Sequence, residues 1–242
     1  MQPVTTAVIL AAGLGMRLRD TFSGKPKGLV SIGGQPLVEY SIQQLMMHGI
    51  NDIIIVTGYL AEEYDALAEA YPAVRTVHNP IYADSGSMYS LYCARDTITG
   101  SFLLLESDLL YESRALTTLL DSPFEAVLLV SGFTQSGDEV YIEIKDDYFY
   151  HMSKERHELQ HIMGELVGIS KISLPLFEKM IAYSEHYFQK SLHLHYEEGC
   201  LNQVGKETRI PICFVPDLLW TEIDNAAHLH RAKSVIWPQI AP

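Results

Sequence analysis

Through residue 130, short unbroken apolar runs alternate with segments whose apolar positions recur every three to four residues. Residues 6–11 form such a run, and a segment apolar throughout belongs to a strand covered on both faces, as in a parallel sheet. Pro36 then opens a helix, since proline has no N–H to leave unpaired and its φ already suits a first turn. Val38, Ile42, Leu45 and Met46 follow the helical period, and Gly49 closes it. The alternation continues with a strand at 53–57, a helix at 61–71 stopped by Pro72, and a strand at 74–78. A helix at 87–98, a strand at 102–106, a helix at 113–120 and a strand at 126–130 complete it. Such a chain predicts right-handed crossovers and a doubly wound α/β sheet that binds its ligands at the carboxyl ends of the strands.

After Gly132 the period changes. Residues 140–145 and 148–152 flank Asp146-Asp147 and predict an antiparallel hairpin, an insertion or edge element. A long helix at 174–190, a short strand at 210–215 and a closing helix at 225–235 follow. With 48% apolar residues in 242, and neither repeat nor low-complexity segment, one domain over residues 1–236 is expected. Residues 237–242 read as a tail or the start of a linker. No apolar run is long enough to span a bilayer and no leader is evident, so a soluble, cytoplasmic protein is expected. Cys93, Cys200 and Cys213, odd in number and widely spaced, fit reduced core residues better than a disulfide frame or a zinc site.

The net charge of −13 argues against a nucleic-acid partner, because such binding works by neutralising phosphates with Lys and Arg. It also means that a polyanionic ligand needs local cations or a metal. Arg17, Arg19, Lys25 and Lys27 supply them, directly after strand 6–11. Between lies Leu10-Ala11-Ala12-Gly13-Leu14-Gly15-Met16-Arg17-Leu18, a strand running into a glycine turn, where missing Cβ atoms let backbone N–H groups approach phosphates. A dinucleotide fingerprint would need a small residue in place of Leu18. A Walker loop would need glycine at Arg19 and Ser or Thr at Pro26.

LAAGxGxRL followed by Pro26-Lys27 resembles the signature of the nucleotidyltransferase superfamily that includes sugar-phosphate and phosphocholine nucleotidylyltransferases. The resemblance implies a Rossmann-like, doubly wound mixed sheet with a small antiparallel hairpin insertion, and catalytic roles for Arg17, Lys27 and Asp108. Leu10, Ala11, Ala12, Gly13, Gly15 and Met16 would line the nucleotide, Arg17 would hold its outer phosphates, and Lys27 would stabilise charge at the α-phosphate. Asp108, just past the apolar strand 102–106, and Asp224, in Glu222-Ile223-Asp224, would hold Mg²⁺, an ion suited to a few carboxylates plus phosphate oxygens. An aspartate preceding a helix is also an ordinary N-cap. Here Arg19-Asp20-Thr21-Phe22 stands where the family usually has a further proline. His193/His195 and His228/His230 are two apart, share no helix face, and make poor metal pairs.

A second run, Asn79-Pro80-Ile81-Tyr82-Ala83-Asp84-Ser85-Gly86-Ser87-Met88-Tyr89-Ser90-Leu91, is similar to one in bacterial phosphocholine cytidylyltransferases and their aminoethylphosphonate relatives. Ser85, Gly86 and Ser87 open a helix there and suit hydrogen bonding to a base or ribose. The acceptor's phosphate is largely ionised at neutral pH, its second pKa being about 6, so no Ser-His-Asp apparatus is needed, and none is evident. By resemblance Lys154 grips that phosphate. Carboxylates crowd the expected acceptor segments at Asp138-Glu139, Glu165 and Tyr196-Glu197-Glu198, whereas the two tryptophans, Trp220 and Trp237, lie near the C-terminus. Where the choline enzymes place an aromatic, this chain has Val140, with Tyr141 adjacent. A primary ammonium wants acceptors and a quaternary one wants aromatic faces. The expected partners are therefore CTP and 2-aminoethylphosphonate, with Tyr141, Lys154, Glu165, Tyr196 and Glu197 around the latter. Phosphocholine or a sugar 1-phosphate as acceptor, a silent nucleotide-binding subunit, and fusion to or work with another pathway enzyme remain as alternatives.

Overall fold

The computed structural model describes residues 3–15 and 24–241. Its elements begin with β1 (Thr6–Ala11), the two-residue strands β2 (Ser31–Ile32) and β3 (Gln35–Pro36), α1 (Leu37–Met47) and β4 (Asp52–Thr57). Next come α2 (Ala61–Ala68), β5 (Val74–His78), α3 (Ser87–Cys93), β6 (Phe102–Glu106), β7 (Leu109–Tyr111), α4 (Arg114–Asp121) and β8 (Val127–Ser131). The hairpin β9 (Tyr141–Lys145) and β10 (Tyr148–Ser153) precedes β11 (Ile162–Ile172), α5 (Leu174–Phe188), a π turn (Tyr196–Leu201) and α6 (Asn202–Val204). The chain continues through β12 (Ile212–Val215), β13 (Trp220–Glu222), α7 (Ala226–Arg231), a second π turn (Ala232–Ile236) and α8 (Trp237–Ile240). No helix is long and apolar enough to cross a membrane among the described residues.

Hydrogen-bonded neighbours give the order β5-β4-β1-β6-β11-β8-β12, with the β9–β10 hairpin on the first half of β11. β5, β4, β1 and β6 are parallel, β12 is parallel to β8, and β11 runs antiparallel to β6 and β8. Strand periodicity then assigns the cores: β1 sends Ala7, Ile9 and Ala11 to one face and Val8 to the other. Val38, Ile42 and Leu45 of α1, Tyr64 of α2 and Leu116 of α4 cover the first face. Met88 of α3, Phe177 and Met180 of α5, and Tyr196 and Cys200 of the π turn cover the second.

A third apolar cluster holds the site in place. Val30, Ile32, Leu37, Tyr40, Leu110, Ile223, Ala232 and Ile236 join the segment after Lys27 to β7, β13 and the closing helices. Each side chain of this size contributes about 1.5–3 kcal/mol on full burial, so the small sheet of β7 and β13 does not depend on its few ladder bonds. Trp237 and Ile240 pack on the same cluster, and Trp237 lies over Gly33, where a Cβ would come within 2.2 Å of its ring. Residues 237–240, expected as a tail or linker, are thus a helical turn against the domain.

Three expected helices are shorter. The one at 61–71 ends at Ala68, the one at 87–98 stops at Cys93 before a 3₁₀ turn at Arg95–Thr97, and the one at 174–190 ends at Phe188. β11, the longest strand, escaped the pattern for a physical reason: it carries Glu165, Ser170 and Lys171 in a buried central position, and it bulges near Gly168, whose φ is +77°. The hairpin turn is as the sequence indicates, and Asp146 and Asp147 both have positive φ, 52° and 67°. Such a two-residue turn favours Asn-Gly, because glycine has no Cβ to clash in the left-handed region. The double change Asp146→Asn/Asp147→Gly should raise unfolding free energy by about 1 kcal/mol in urea titrations, and an unchanged or lower value would contradict this reading of the turn.

Candidate active site

A cavity of about 360 Å³ opens at the carboxyl ends of β1 and β6, within the range of small-molecule and nucleotide pockets. Leu10 to Gly13, Gly15 and Lys27 form one wall, and Glu106, Ser107 and Asp108 the next. Tyr82, Ser85 to Ser87, His195 to Glu197, Val140, Lys154, Leu166, Trp220, Glu222 and Asp224 complete the lining. The Gly13 position is open, with no atom within 4 Å of where its Cβ would stand, so a ligand can meet bare backbone there.

Lys27 begins a 3₁₀ turn after Pro26, with Leu29 N–H donating to the Pro26 carbonyl at 3.0 Å. Gly28 lets this turn press on β6, since a Cβ would lie 2.9 Å from the Tyr64 hydroxyl and 3.0 Å from Ser107 Cβ. On the other side β13 pairs with β7, Glu222 opposite Leu109, and Ile223 N–H donates to the Asp108 carbonyl at 3.0 Å. That pairing brings two carboxylates distant in sequence to one ammonium: Lys27 Nζ donates to Asp108 Oδ2 at 3.0 Å and also to Asp224 Oδ1. Burial opposes the lysine's charge, but Asp108 and Asp224 outweigh it and hold the ammonium above the usual lysine range. Glu222 is pushed up by burial first, then by its hydrogen bond to Asp224 and the charges of Asp108 and Asp224.

Two aspartates and a glutamate thus share one lysine in a buried corner. An all-oxygen set with surplus negative charge suits a hard divalent cation such as Mg²⁺, with Asp108 and Asp224 as its holders. His228 has ligand atoms close to those of Glu222 and Asp224, but both its ring nitrogens are engaged, Nδ1 by Asp224 N–H at 3.3 Å and Nε2 by the Ser136 carbonyl at 3.1 Å.

At the other end Tyr196 donates to Glu106 Oε1 at 2.8 Å. Glu106 is raised well above the carboxylate range by burial and by neighbouring Glu197, with which it shares a hydrogen bond. Lys154 pairs with Asp138 at 2.7 Å, and its backbone N–H donates to Glu198 at 2.9 Å. The turn at Ser85–Ser87 is spent differently from the expectation. Gly86 N–H donates to the Leu192 carbonyl at 2.8 Å and Met88 N–H to that of Leu194 at 3.0 Å. The Ser87 hydroxyl accepts from Tyr196 N–H at 3.0 Å and Ser85 Oγ from Asn79 at 3.0 Å. Gly86, Ser87 and Met88 thus fasten residues 192–197 to the start of α3, and Asn79 holds Ser85.

Of the residues singled out in the sequence, Leu10, Ala11, Ala12, Gly13, Gly15, Lys27, Ser85, Gly86, Ser87, Asp108, Lys154, Tyr196, Glu197 and Asp224 line one cavity. Met16 and Arg17 lie outside the described residues. Two are not brought to it. Tyr141 is turned to Glu139 and packs on Phe133, and Glu165 is buried behind the wall, where Oε2 accepts from Thr134 N–H at 3.0 Å. Sequence reasoning also passed over Glu106, Tyr82, Trp220, Glu222 and His228. Trp220 corrects the inference that no tryptophan is near the acceptor: β13 carries it to the cavity wall with its N–H on Ser131 at 2.8 Å. Its strand neighbours gave no sign of that.

The MobA-like NTP transferase domain family matches residues 7–236, and the chain belongs to it. The chain is 35% identical over 183 residues to the choline-phosphate cytidylyltransferase of Streptococcus pneumoniae, covering 73% of this chain and 74% of that one. It is 40% identical over 106 residues to the 2-aminoethylphosphonate cytidylyltransferase of Lancefieldella rimae, covering 43% of each. The structure of the CTP:phosphocholine cytidylyltransferase of Streptococcus pneumoniae superposes with a TM-score of 0.78 at 27% identity, covering 97% of this chain and 99% of that one. The chain is a nucleotidyltransferase on a mostly parallel α/β sheet.

Glu165 generates a prediction of its own. Burial pushes its carboxyl up to about 7, against the hydrogen bonds from Thr134, and Oε1 has no partner among the described residues. A carboxyl with a folded pKa above its unfolded one binds more protons when folded, so stability falls as pH rises from about 4.5 to about 7 and stays lower above. Glu165→Gln should be relatively more stable than wild type at pH 8 than at pH 5, by on the order of 2 kcal/mol. A stability difference independent of pH in denaturation curves would contradict the assignment.

Proposed function

We propose that this MobA-like NTP transferase is a magnesium-dependent cytidylyltransferase that joins CMP to 2-aminoethylphosphonate and releases pyrophosphate. The observation that carries the reading is the convergence of Lys27, Asp108 and Asp224 beside the glycine loop, at the strand ends where an open sheet binds its ligand. A phosphonate oxygen of the acceptor attacks the α-phosphorus of CTP, a new P–O bond forms, and the bond to the β-phosphate oxygen breaks as pyrophosphate leaves. No base is required, because the nucleophile is already an anion.

The work left to the protein is positioning and charge neutralisation. The backbone from Leu10 to Gly13 faces the base, and Arg17 serves the outer phosphates. Lys27, released from its carboxylates as the nucleotide enters, meets the α-phosphate oxygens as negative charge shifts there. Mg²⁺ held by Asp108 and Asp224 would neutralise phosphate oxygens and screen these carboxylates from the triphosphate. Lys154 takes the acceptor's phosphonate, a group that competes well with Asp138 for it.

Selectivity rests on the acidic end. Glu106 and Glu197, joined to each other and to Tyr196 and Ser87, offer oxygens to an ammonium with three N–H donors. Trp220, in the lining of the same cavity, favours a second reading, phosphocholine, whose quaternary ammonium has no donor and prefers an aromatic face. Both names occur among the relatives, so the acceptor decides between them.

Pyrophosphate release across the four triphosphates, with 2-aminoethylphosphonate, phosphocholine, phosphoethanolamine and a hexose 1-phosphate, tests the reading. CTP with 2-aminoethylphosphonate should give the highest kcat/KM, absent without divalent metal. Glu197→Gln should lower it by about 30-fold or more, as expected for an ammonium losing a buried charged partner, and change phosphocholine turnover little. A wild-type preference for phosphocholine replaces the acceptor with the choline compound, and no turnover with any CTP pair overturns the activity itself.

A further inference from the structure

The imidazole of His228 is not among the residues lining the cavity, but it bonds two segments that carry lining or acceptor-loop residues. It projects from α7, four residues after Asp224, and is 2% exposed. Its Nδ1 faces the backbone N–H of Asp224 at 3.3 Å, a group that can only donate. Its Nε2 faces the backbone carbonyl of Ser136 at 3.1 Å, a group that can only accept. Both contacts hold together in one state alone, the neutral ring with its proton on Nε2.

The two partners belong to different functional segments. Asp224 ends the turn that follows β13, and Asn225 Oδ1, accepting from His228 N–H at 3.0 Å, closes that turn onto α7. Ser136 sits in the loop between β8 and β9, two residues before Asp138, the partner of Lys154. Arg231, one turn along α7, donates to the Thr134 carbonyl of the same loop at 2.8 Å. The loop is therefore fastened to the helix that follows Asp224, and its far end reaches the lysine that faces the acceptor.

We propose that His228 is a positioning residue that fixes the Asp224 turn for a divalent cation and, through Ser136, ties the acceptor loop to it. It acts through Asp224 and Ser136 and is not itself a ligand, since both its nitrogens are occupied. Partners of this kind orient the groups that touch a metal, and their loss typically costs about 10–100-fold in metal affinity. The proposal rests on Asp224 as a metal holder, but not on which acceptor the enzyme uses.

Three substitutions separate the two contacts. His228→Asn keeps an acceptor near the Nδ1 position and loses the outer donor, His228→Gln keeps a donor near the Nε2 position, and His228→Ala loses both. Mn²⁺ binding to the enzyme with a non-hydrolysable CTP analogue, read from the paramagnetic resonance of free ion, should weaken about tenfold in His228→Ala. Asn should restore Mn²⁺ binding without restoring the acceptor KM, and Gln should do the reverse. In the free wild-type enzyme a ¹⁵N–¹H correlation spectrum should show the His228 proton on Nε2 alone. A proton on Nδ1 overturns the proposal. So does Mn²⁺ binding and acceptor KM unchanged in His228→Ala with only the melting temperature lowered. Should that variant fail to fold, Asn and Gln variants that both match wild type in both measurements overturn it equally. Because Mn²⁺ binding and the proton's position need no turnover, failure of the proposed activity leaves them readable.

Discussion

Two buried carboxylates in one corner repel each other, and the site is organised around the ammonium that Lys27 places between them. Asp108 and Asp224 are both buried, so removing their shared cation without replacement would cost about 3–5 kcal/mol. No single segment creates this arrangement. Pro26 and Gly28 set the lysine on a tight turn against Ser107, β7 carries Asp108 away from the end of β6, and β13 returns from the C-terminal part to lay Asp224 beside it. The third apolar cluster, from Val30 to Ile236, keeps these pieces in register. On the proposed function, a divalent cation arriving with a triphosphate would take the place of this lysine, which would then turn to the phosphates.

The same excess of carboxylate extends across the cavity. Glu106, Glu197 and Glu222 add to the two aspartates, against Lys27 and Lys154 among the described lining residues. Tyr196 and a hydrogen bond between Glu106 and Glu197 relieve part of the repulsion. On the proposed function, the corner of Lys27, Asp108 and Asp224 would take metal and phosphate, and Glu106 and Glu197 the small cation of an amino-phosphonate or amino-phosphate. Trp220 lines the same cavity, so the carboxylates are not alone around a bound cation.

Much of this was legible from local pattern. Runs such as 6–11 and 102–106 must be buried strands, Gly13 and Gly15 mark a turn that lines the cavity, and the Asp146-Asp147 turn announces a hairpin. What stayed hidden depends on pairing between distant segments. β11 is buried at the centre of the sheet, with one Glu165 oxygen bonded to Thr134 and the Lys171 ammonium to the Ser122 carbonyl, so its sequence shows neither alternation nor an unbroken apolar run. Trp220 and His228 became part of the site only through the pairing of β13 with β7. Ser85 to Ser87 look like free polar groups in sequence, yet Asn79 holds the Ser85 hydroxyl and residues 192–196 take up Gly86 and Ser87. Glu165 looks like a pocket carboxylate, yet an 11-residue strand turns it behind the wall.

The central claim is that Lys27 exchanges partners, leaving Asp108 and Asp224 to a divalent cation when nucleotide binds. A crystal structure with Mg²⁺ and a non-hydrolysable CTP analogue tests it most directly. The expected result is an ion held by Asp108 and Asp224, with Lys27 Nζ moved to within hydrogen-bonding distance of an α-phosphate oxygen. An ion bound elsewhere, or Lys27 still clamped between both aspartates with the nucleotide in place, would contradict it.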